Sequence, residues 1–331
     1  MKLKIVSVIA MLMMSSGAFA ADLPVKAAAA PPADMPFFFV NDNRLTYAYL
    51  PNGTEPSVTA QTAKQIVAFT HFDAWAYGTN LANLQIIRSD HNDPAGPCPV
   101  FGTGCAGATE FYGLVRSTFG FNQIFNTKAF TVGPLRNVSF EIGGDWKTQN
   151  SFAAPETKRL VAGLQFAFDL PYHGFFNVMP GVYKEWDHLA FLTPAFTAPG
   201  PGIPDGNTSM NPSWALEINY YMDLGFLPDW LPLAVSGRAG MYGPNGTGTS
   251  VNIPFWIPTK TQFETEPVRL TLDASRMIWG QKYSHFADVW VAYKYWQNKF
   301  GLDHNASPLC TGINAGSCTE SSVYTGITLK F

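Results

Sequence analysis

From Val323 to Phe331 the chain changes character at every residue. Val323, Thr325, Ile327, Leu329 and Phe331 share one parity, and Tyr324, Gly326, Thr328 and Lys330 the other. A period of two marks a strand whose two faces meet different surroundings. Comparable segments fall at about 44–50, 64–77, 80–90, 109–121, 136–149, 157–169, 174–188, 213–224, 232–242, 265–275, 284–298 and 320–331, twelve in all. After the first twenty residues there is no run of eighteen apolar residues, so the chain offers no transmembrane helix. Yet 47% of it is hydrophobic and only 14% charged, an apolar balance for a soluble protein. A closed barrel with a lipid-facing exterior reconciles these facts, because each strand's backbone pairs with its neighbours and no edge remains. An even count is what a closed single-chain barrel requires; the rival, an ordinary edge strand of a soluble sandwich, explains the last segment but gives no reason for the sorting of connections by length.

The beginning of the chain fits export. Lys2 and Lys4 precede an apolar stretch from Ile5 to Met14, and Ala18 and Ala20 form an Ala-x-Ala cleavage pattern, so residues 1–20 read as a signal peptide. Its removal takes the formal charge from −3 to −5, which argues against nucleic acid as a partner. Residues 21–43 are rich in Ala and Pro without strand period and are expected to form a flexible periplasmic leader, with the barrel at 44–331. The expected fold is thus all-β, a transmembrane antiparallel barrel of twelve strands in the bacterial outer membrane.

Alternate connections sort by length. Residues 51–63, 91–108, 150–156, 189–212, 243–264 and 299–319 form a long, turn-rich set, whereas most of the others are short. Long loops outside and short turns inside are the asymmetry of outer-membrane barrels. Cys98 and Cys105, and Cys310 and Cys318, fall in the long set. In an exported chain such close pairs read as loop disulfides. Neither pair has Cys-x-x-Cys spacing, so no metal is expected.

Parity assigns faces. In 136–149, Val138, Phe140, Ile142, Gly144 and Trp146 are expected to face lipid, and Glu141, Asp145 and Lys147 the lumen. The same reasoning turns Glu217, Arg269, Asp273, Arg238, Asp288 and Lys294 inward, making the lumen polar and hydrated. In 67–77 the polar residues share a face with aromatic rings: Phe69, His71, Asp73, Trp75 and Tyr77. Because His71 and Asp73 would be costly in hydrocarbon, this face is expected to point inward. Trp290 and Trp296 stand in the same way beside Asp288 and Lys294. Aromatic rings among hydrogen-bonding groups suit a flat solute with polar edges, such as a nucleobase with its sugar. The alternative is that Trp75, Tyr77 and Trp296 belong to an interfacial girdle.

Four stretches carry a resemblance: Ile66 to Asn80 (Ile-Val-Ala-Phe-Thr-His-Phe-Asp-Ala-Trp-Ala-Tyr-Gly-Thr-Asn), Phe130 to Arg136 (Phe-Thr-Val-Gly-Pro-Leu-Arg), Val182 to Trp186 (Val-Tyr-Lys-Glu-Trp) and Val289 to Trp296 (Val-Trp-Val-Ala-Tyr-Lys-Tyr-Trp). The chain resembles the nucleoside-specific channel-forming (Tsx-like) outer-membrane proteins, particularly the proteobacterial branch labelled outer envelope proteins. The resemblance implies a monomeric twelve-stranded barrel that passes nucleosides by diffusion without a cofactor. The cysteine pairs and the long loops at 194–212 and 243–260 depart from the enterobacterial members. A final strand ending in Phe331 also looks like the signal by which the barrel assembly machinery takes up its clients. Besides outer-membrane lipid, that machinery and nucleosides are the expected partners. The lumen candidates are Phe69, His71, Asp73, Trp75, Glu141, Asp145, Glu217, Arg269, Asp273, Asp288, Trp290, Lys294 and Trp296. A general porin, and a surface barrel that binds through its disulfide-pinned loops, are the other readings. An enzyme is not expected: there is no Gly-x-Ser-x-Gly and no His-Glu-x-x-His.

Overall fold

A computed structural model describes residues 37–98, 104–190, 193–194, 202–246 and 258–331. The expected signal peptide and most of the expected leader lie outside the described residues, as do parts of three long loops.

Thirteen strands follow one another in the chain: β1 (Phe38–Gly53), β2 (Thr62–Trp75), β3 (Gly78–Ser89), β4 (Thr109–Gly120), β5 (Leu135–Gln149), β6 (Glu156–Leu170), β7 (Gly174–His188), β8 (Asn207–Ser209), β9 (Ser213–Asp223), β10 (Leu233–Tyr242), β11 (Gln262–Asp273), β12 (Ala287–Gln297) and β13 (Thr319–Lys330). Each pairs antiparallel with its neighbours, β1 pairs with β13, and β6–β7 pairing closes the ring. β8 is a three-residue strand on the top of β7. The other twelve are the barrel wall, as the alternation predicts.

β1 begins at Phe38, six residues before the predicted start. Phe37 to Phe39 do not alternate, which hides the strand from a parity test; the partner settles it, since Asn41 and Asn43 lie opposite Asp73 and His71 of β2. The closing seam pairs Leu45 with Leu329 and Tyr47 with Ile327, and the Phe331 amide donates to the Asn43 carbonyl at 3.0 Å.

The barrel is turned inside out relative to a soluble protein. Leu45, Val67, Leu84, Ile86, Phe111, Ile142, Leu160, Val268 and Val291 are exposed on its outer face, while Arg116, Glu141, Asn177 and Glu320 are buried inside. Water in the lumen and lipid outside make this the favourable arrangement, and the closed ladder leaves no edge unpaired in hydrocarbon. Trp75, Tyr77, Phe119 and Phe140 form a chain of ring contacts near the short-turn rim, with centroids 5.4 to 6.4 Å apart. Aromatic rings favour that interface, where one end of the ring is apolar and the other wet.

The long connections lie at one end and the short turns at the other. Both predicted disulfides are formed at the long-loop end, Cys98–Cys105 and Cys310–Cys318. The second sits in a small apolar cluster with Leu189, Ile203, Met210 and Leu302.

Candidate functional site

The middle of the lumen is crossed by a lattice of ion pairs. Arg116 of β4 donates to both carboxylate oxygens of Glu217 on β9, at 3.0 Å from Nε and 2.7 Å from Nη2. Its Nη1 also donates to the carbonyls of Val115 and Gly144. Gly143 makes this possible: a Cβ there would stand 2.5 Å from the Arg116 Cδ and 2.2 Å from the Val115 carbonyl. Tyr242 donates to Glu217 at 2.7 Å, and Arg159 lies over its ring at 4.1 Å. Arg159 in turn donates to Glu185 at 2.7 and 2.9 Å and approaches Asp145 at 3.5 Å. Strands from half the circumference are thereby tied across the interior.

A second group lies against β11, β12 and β13. Arg269 donates to both oxygens of Glu266, at 2.6 and 3.0 Å, and lies over the Trp290 ring at 4.0 Å. Tyr324 donates to Glu266 and meets Trp290 edge-on, with centroids 5.1 Å apart. Trp290 Nε1 donates to Thr328 Oγ1 at 3.1 Å. Glu266 and Arg269, three apart, can both point inward because β11 has a bulge between Thr265 and Val268. Pro267 stands at the bulge with its face outward, where a missing ladder donor is tolerated.

Nearer the loops, Lys299 donates to Glu320 at 2.7 Å and to the Thr54 carbonyl. Lys147 pairs with Glu110 at 3.1 Å, and Lys64 pairs with Glu55. Trp296 lies between Lys299, Lys294 and the ring of Phe300. In the loop between β3 and β4, Asp93 accepts from Ser89 and Gln149. Burial, with the Glu55 carboxylate nearby, pushes its pKa up to about 6.

At the short-turn end Asp273, His285 and Asp288 are buried together, with His285 Nδ1 at 3.1 Å from Asp288 and 3.4 Å from Asp273. Their ligand atoms lie within 4.8 Å of one another, a spacing a divalent cation accepts. Asp273 is already served by Ser275, Ser284 and the Arg276 amide, so hydrogen bonds hold the trio together by themselves.

Two cavities run through this lattice, about 70 and 90 Å³ in volume. Both are bordered by Arg238 and Lys294. Each has room for a few waters, so the polar lumen expected from parity is narrow at this level. The reason is length: opposed Arg and Glu side chains reach one another from facing walls.

Of the predicted lumen residues, Glu141, Asp145, Glu217, Arg269, Asp273, Asp288, Trp290, Lys294 and Trp296 point inward. Phe69, His71, Asp73 and Trp75 do not. They share the outward face of β2 with Val67, and Phe69 is 37% exposed there. The inward parity of β2 belongs to Lys64, Ala68 and Thr70, whose Oγ1 accepts from Asn83 at 2.7 Å. Cost in hydrocarbon does not forbid the outward placement, because the polar groups satisfy one another. His71 meets Asn43 at 2.8 Å and Asp73 at 3.3 Å, Asn80 donates to Asp73 at 2.8 Å, and Ser117 donates to Asn80 at 2.7 Å. This seam climbs obliquely from the rim to Ser117, which lies opposite lipid-facing Ile142. Trp75 and Tyr77 belong to the girdle. Lys64, of opposite parity to His71, was the signal that identifies the face.

Arg116, Arg159, Glu266, Glu320 and Tyr242 also point inward, beyond the residues singled out from parity, and Tyr324 lies on the polar face of the last strand as expected. Arg116 shares parity with Glu110 on β4 and was legible in that way; Glu266 was hidden by the bulge.

No family model matches the chain, and no curated protein matches it in sequence. Among solved structures it is similar to the COG4313 outer membrane channel from Pseudomonas putida F1, at 8% identity over 92% of this chain and 100% of that one, with a TM-score of 0.42. It is also similar to the translocator domain of the autotransporter NalP from Neisseria meningitidis (11% identity, 88% of each chain, TM-score 0.39). A third is the beta domain of the Bordetella autotransporter Brka (7% identity, 88% of this chain and 99% of that one, TM-score 0.37). With a closed wall of twelve antiparallel strands, apolar outside and charged within, the protein is an outer-membrane β-barrel.

Proposed function

We propose that the protein is a passive channel for small polar solutes, with nucleosides the class that its resemblance to the Tsx-like proteins implies. The observation that carries this reading is the pair of small polar cavities that share Arg238 and Lys294 within a lumen lined by charge. A solute moving between them exchanges one set of hydrogen bonds for another. Weak successive sites of this kind favour flux, whereas a single tight site would block it.

Trp290 and Trp296 line the second cavity, but cations already lie over both rings. A nucleobase would therefore meet a ring and a positive charge together rather than a bare stacking platform. The test is conductance of the purified, refolded protein in a planar bilayer with adenosine, thymidine and an uncharged sugar titrated in turn. Block by the nucleosides alone, weakened in Trp290→Ala and Trp296→Ala, supports the nucleoside reading. Conductance indifferent to all three leaves a general porin, and absence of conductance rejects the channel.

A further inference from the structure

We infer that the lumen favours solutes bearing an oxyanion, a carboxylate or a phosphate, and that Arg238 is the residue that receives it. This rests on the channel reading and sharpens it to a charge class.

Together the two lumen cavities are lined by eight Lys or Arg side chains and seven Asp or Glu side chains. Seven of the cations are committed. Arg116 pairs with Glu217, Arg159 with Glu185, and Arg269 with Glu266. Lys64 pairs with Glu55, Lys147 with Glu110, and both Lys294 and Lys299 with Glu320. Arg238 is the eighth, and it makes no ion pair among the described residues. Glu185 and Glu141, which face Arg159 and Arg116 from just beyond the lining, more than balance the count; what sets Arg238 apart is that its guanidinium, opposite Glu266 on β11 and beside Glu264, is in no direct ion pair with either.

Its position suits the role. Arg238 stands midway along β10, partly open to the lumen, and borders both cavities, so a solute passing from one to the other must go by it. Neighbouring Gly240, on the same inward parity, presents no side chain beside it. A guanidinium offers a planar fork of donors that matches the two oxygens of a carboxylate or the edge of a phosphate. In a narrow, partly dehydrated lumen its charge is screened less than it would be in open water. Glu266 opposite Arg238 is bonded to Arg269 and Glu264 stands off, so the donors of Arg238 are left for an arriving anion, whereas a neutral solute replaces water with another dipole and a cation gains nothing from the guanidinium. The cavity volumes of about 70 and 90 Å³ limit the part of the solute held there to a small head group.

The experiment has two arms. In the first, reversal potentials are measured across a planar bilayer under a potassium chloride gradient at low salt, for the wild type, Arg238→Gln and Arg238→Lys. The expected result is anion selectivity that collapses toward unity in Arg238→Gln and survives in Arg238→Lys. Cation selectivity, or selectivity unmoved by Arg238→Gln, overturns the inference while leaving the channel standing. In the second, benzoate and inorganic phosphate are titrated against tryptophan fluorescence of the refolded protein in detergent, with heat-modifiable gel mobility as the check on folding. Saturable quenching lost in Arg238→Gln and retained in Arg238→Lys supports the site, and the stronger of the two probes identifies the oxyanion. Quenching equal in all three proteins, or absent from the wild type, overturns it. Because the second arm needs no conductance, failure of the channel reading and failure of the oxyanion site are separately visible.

Discussion

Arg116 and Glu217 face one another across the lumen with β5, β6 and β7 between their strands along the wall, and they are joined by two parallel hydrogen bonds of 3.0 and 2.7 Å. The pair is a strut across the lumen. Removing Arg116 leaves Glu217, Glu141 and Asp145 facing one another without their shared cation. Breaking a buried pair from one side costs about 3–5 kcal/mol. Arg116→Ala is therefore expected to lower stability by that order and to raise single-channel conductance. The double variant Arg116→Ala/Glu217→Ala should recover part of the stability while conducting at least as well. Urea unfolding in detergent and bilayer recordings check the two halves.

The outward seam makes a different prediction. Asp73 accepts from Asn80 and lies beside His71 on the lipid side of the wall. Asp73→Ala should cost about 1–3 kcal/mol, the penalty of leaving polar partners unmet. Replacing His71, Asp73 and Asn80 together by Ala should cost less than the single change, because no orphan remains. Conductance should be the same in all three proteins; a change in ion selectivity on Asp73→Ala would return this residue to the lumen.

Acid should tighten the loop between β3 and β4. Asp93 titrates at about 6 in the folded protein, above its ordinary value of 3.8, because burial and Glu55 disfavour its charge. A carboxyl whose folded pKa is raised binds more protons folded than unfolded between those two values, so stability falls as pH rises through that window. The effect is on the order of 2 kcal/mol. Amide exchange in residues 90–98 should slow as pH is brought from 7 to 5, after correction for intrinsic rates. Asp93→Asn should abolish that change and hold the slow rate at both values.

The Cys310–Cys318 disulfide closes a short loop over the cluster of Leu189, Met210 and Leu302. Replacing both cysteines by Ser should loosen this cap, since a bridge of this kind contributes about 2–4 kcal/mol. Limited proteolysis should then cut within 302–318 several times faster. Heat-modifiable gel mobility should be retained, because the wall ladder does not depend on the loop.

Much of this molecule was legible before folding. Eleven of the twelve wall strands lie within a few residues of the segments marked by alternation, and both disulfides join the cysteines that sequence proximity paired. On β5, Glu141 faces in and Phe140 out, as parity required. The failure on β2 is instructive. Polar content alone suggested that His71 and Asp73 should avoid lipid, but Asn43 meets His71, Asn80 donates to Asp73, and Ser117 in turn donates to Asn80, each from a different strand. Those partners are 28, 7 and 37 residues away from the groups they serve, a relation that no local pattern contains.

The sequence by itself determined the period of the strands, their number and the side on which the long loops lie, because alternation and turn chemistry are local properties of the backbone. Only the tertiary structure decided which charges meet. Whether Arg116 finds Glu217, and whether Arg238 is left without a partner, depends on strand register, the bulge in β11 and the distance across a closed ring. Coulomb interactions act through space and fall with separation, so the pairing of the lumen exists only once the wall has closed around it.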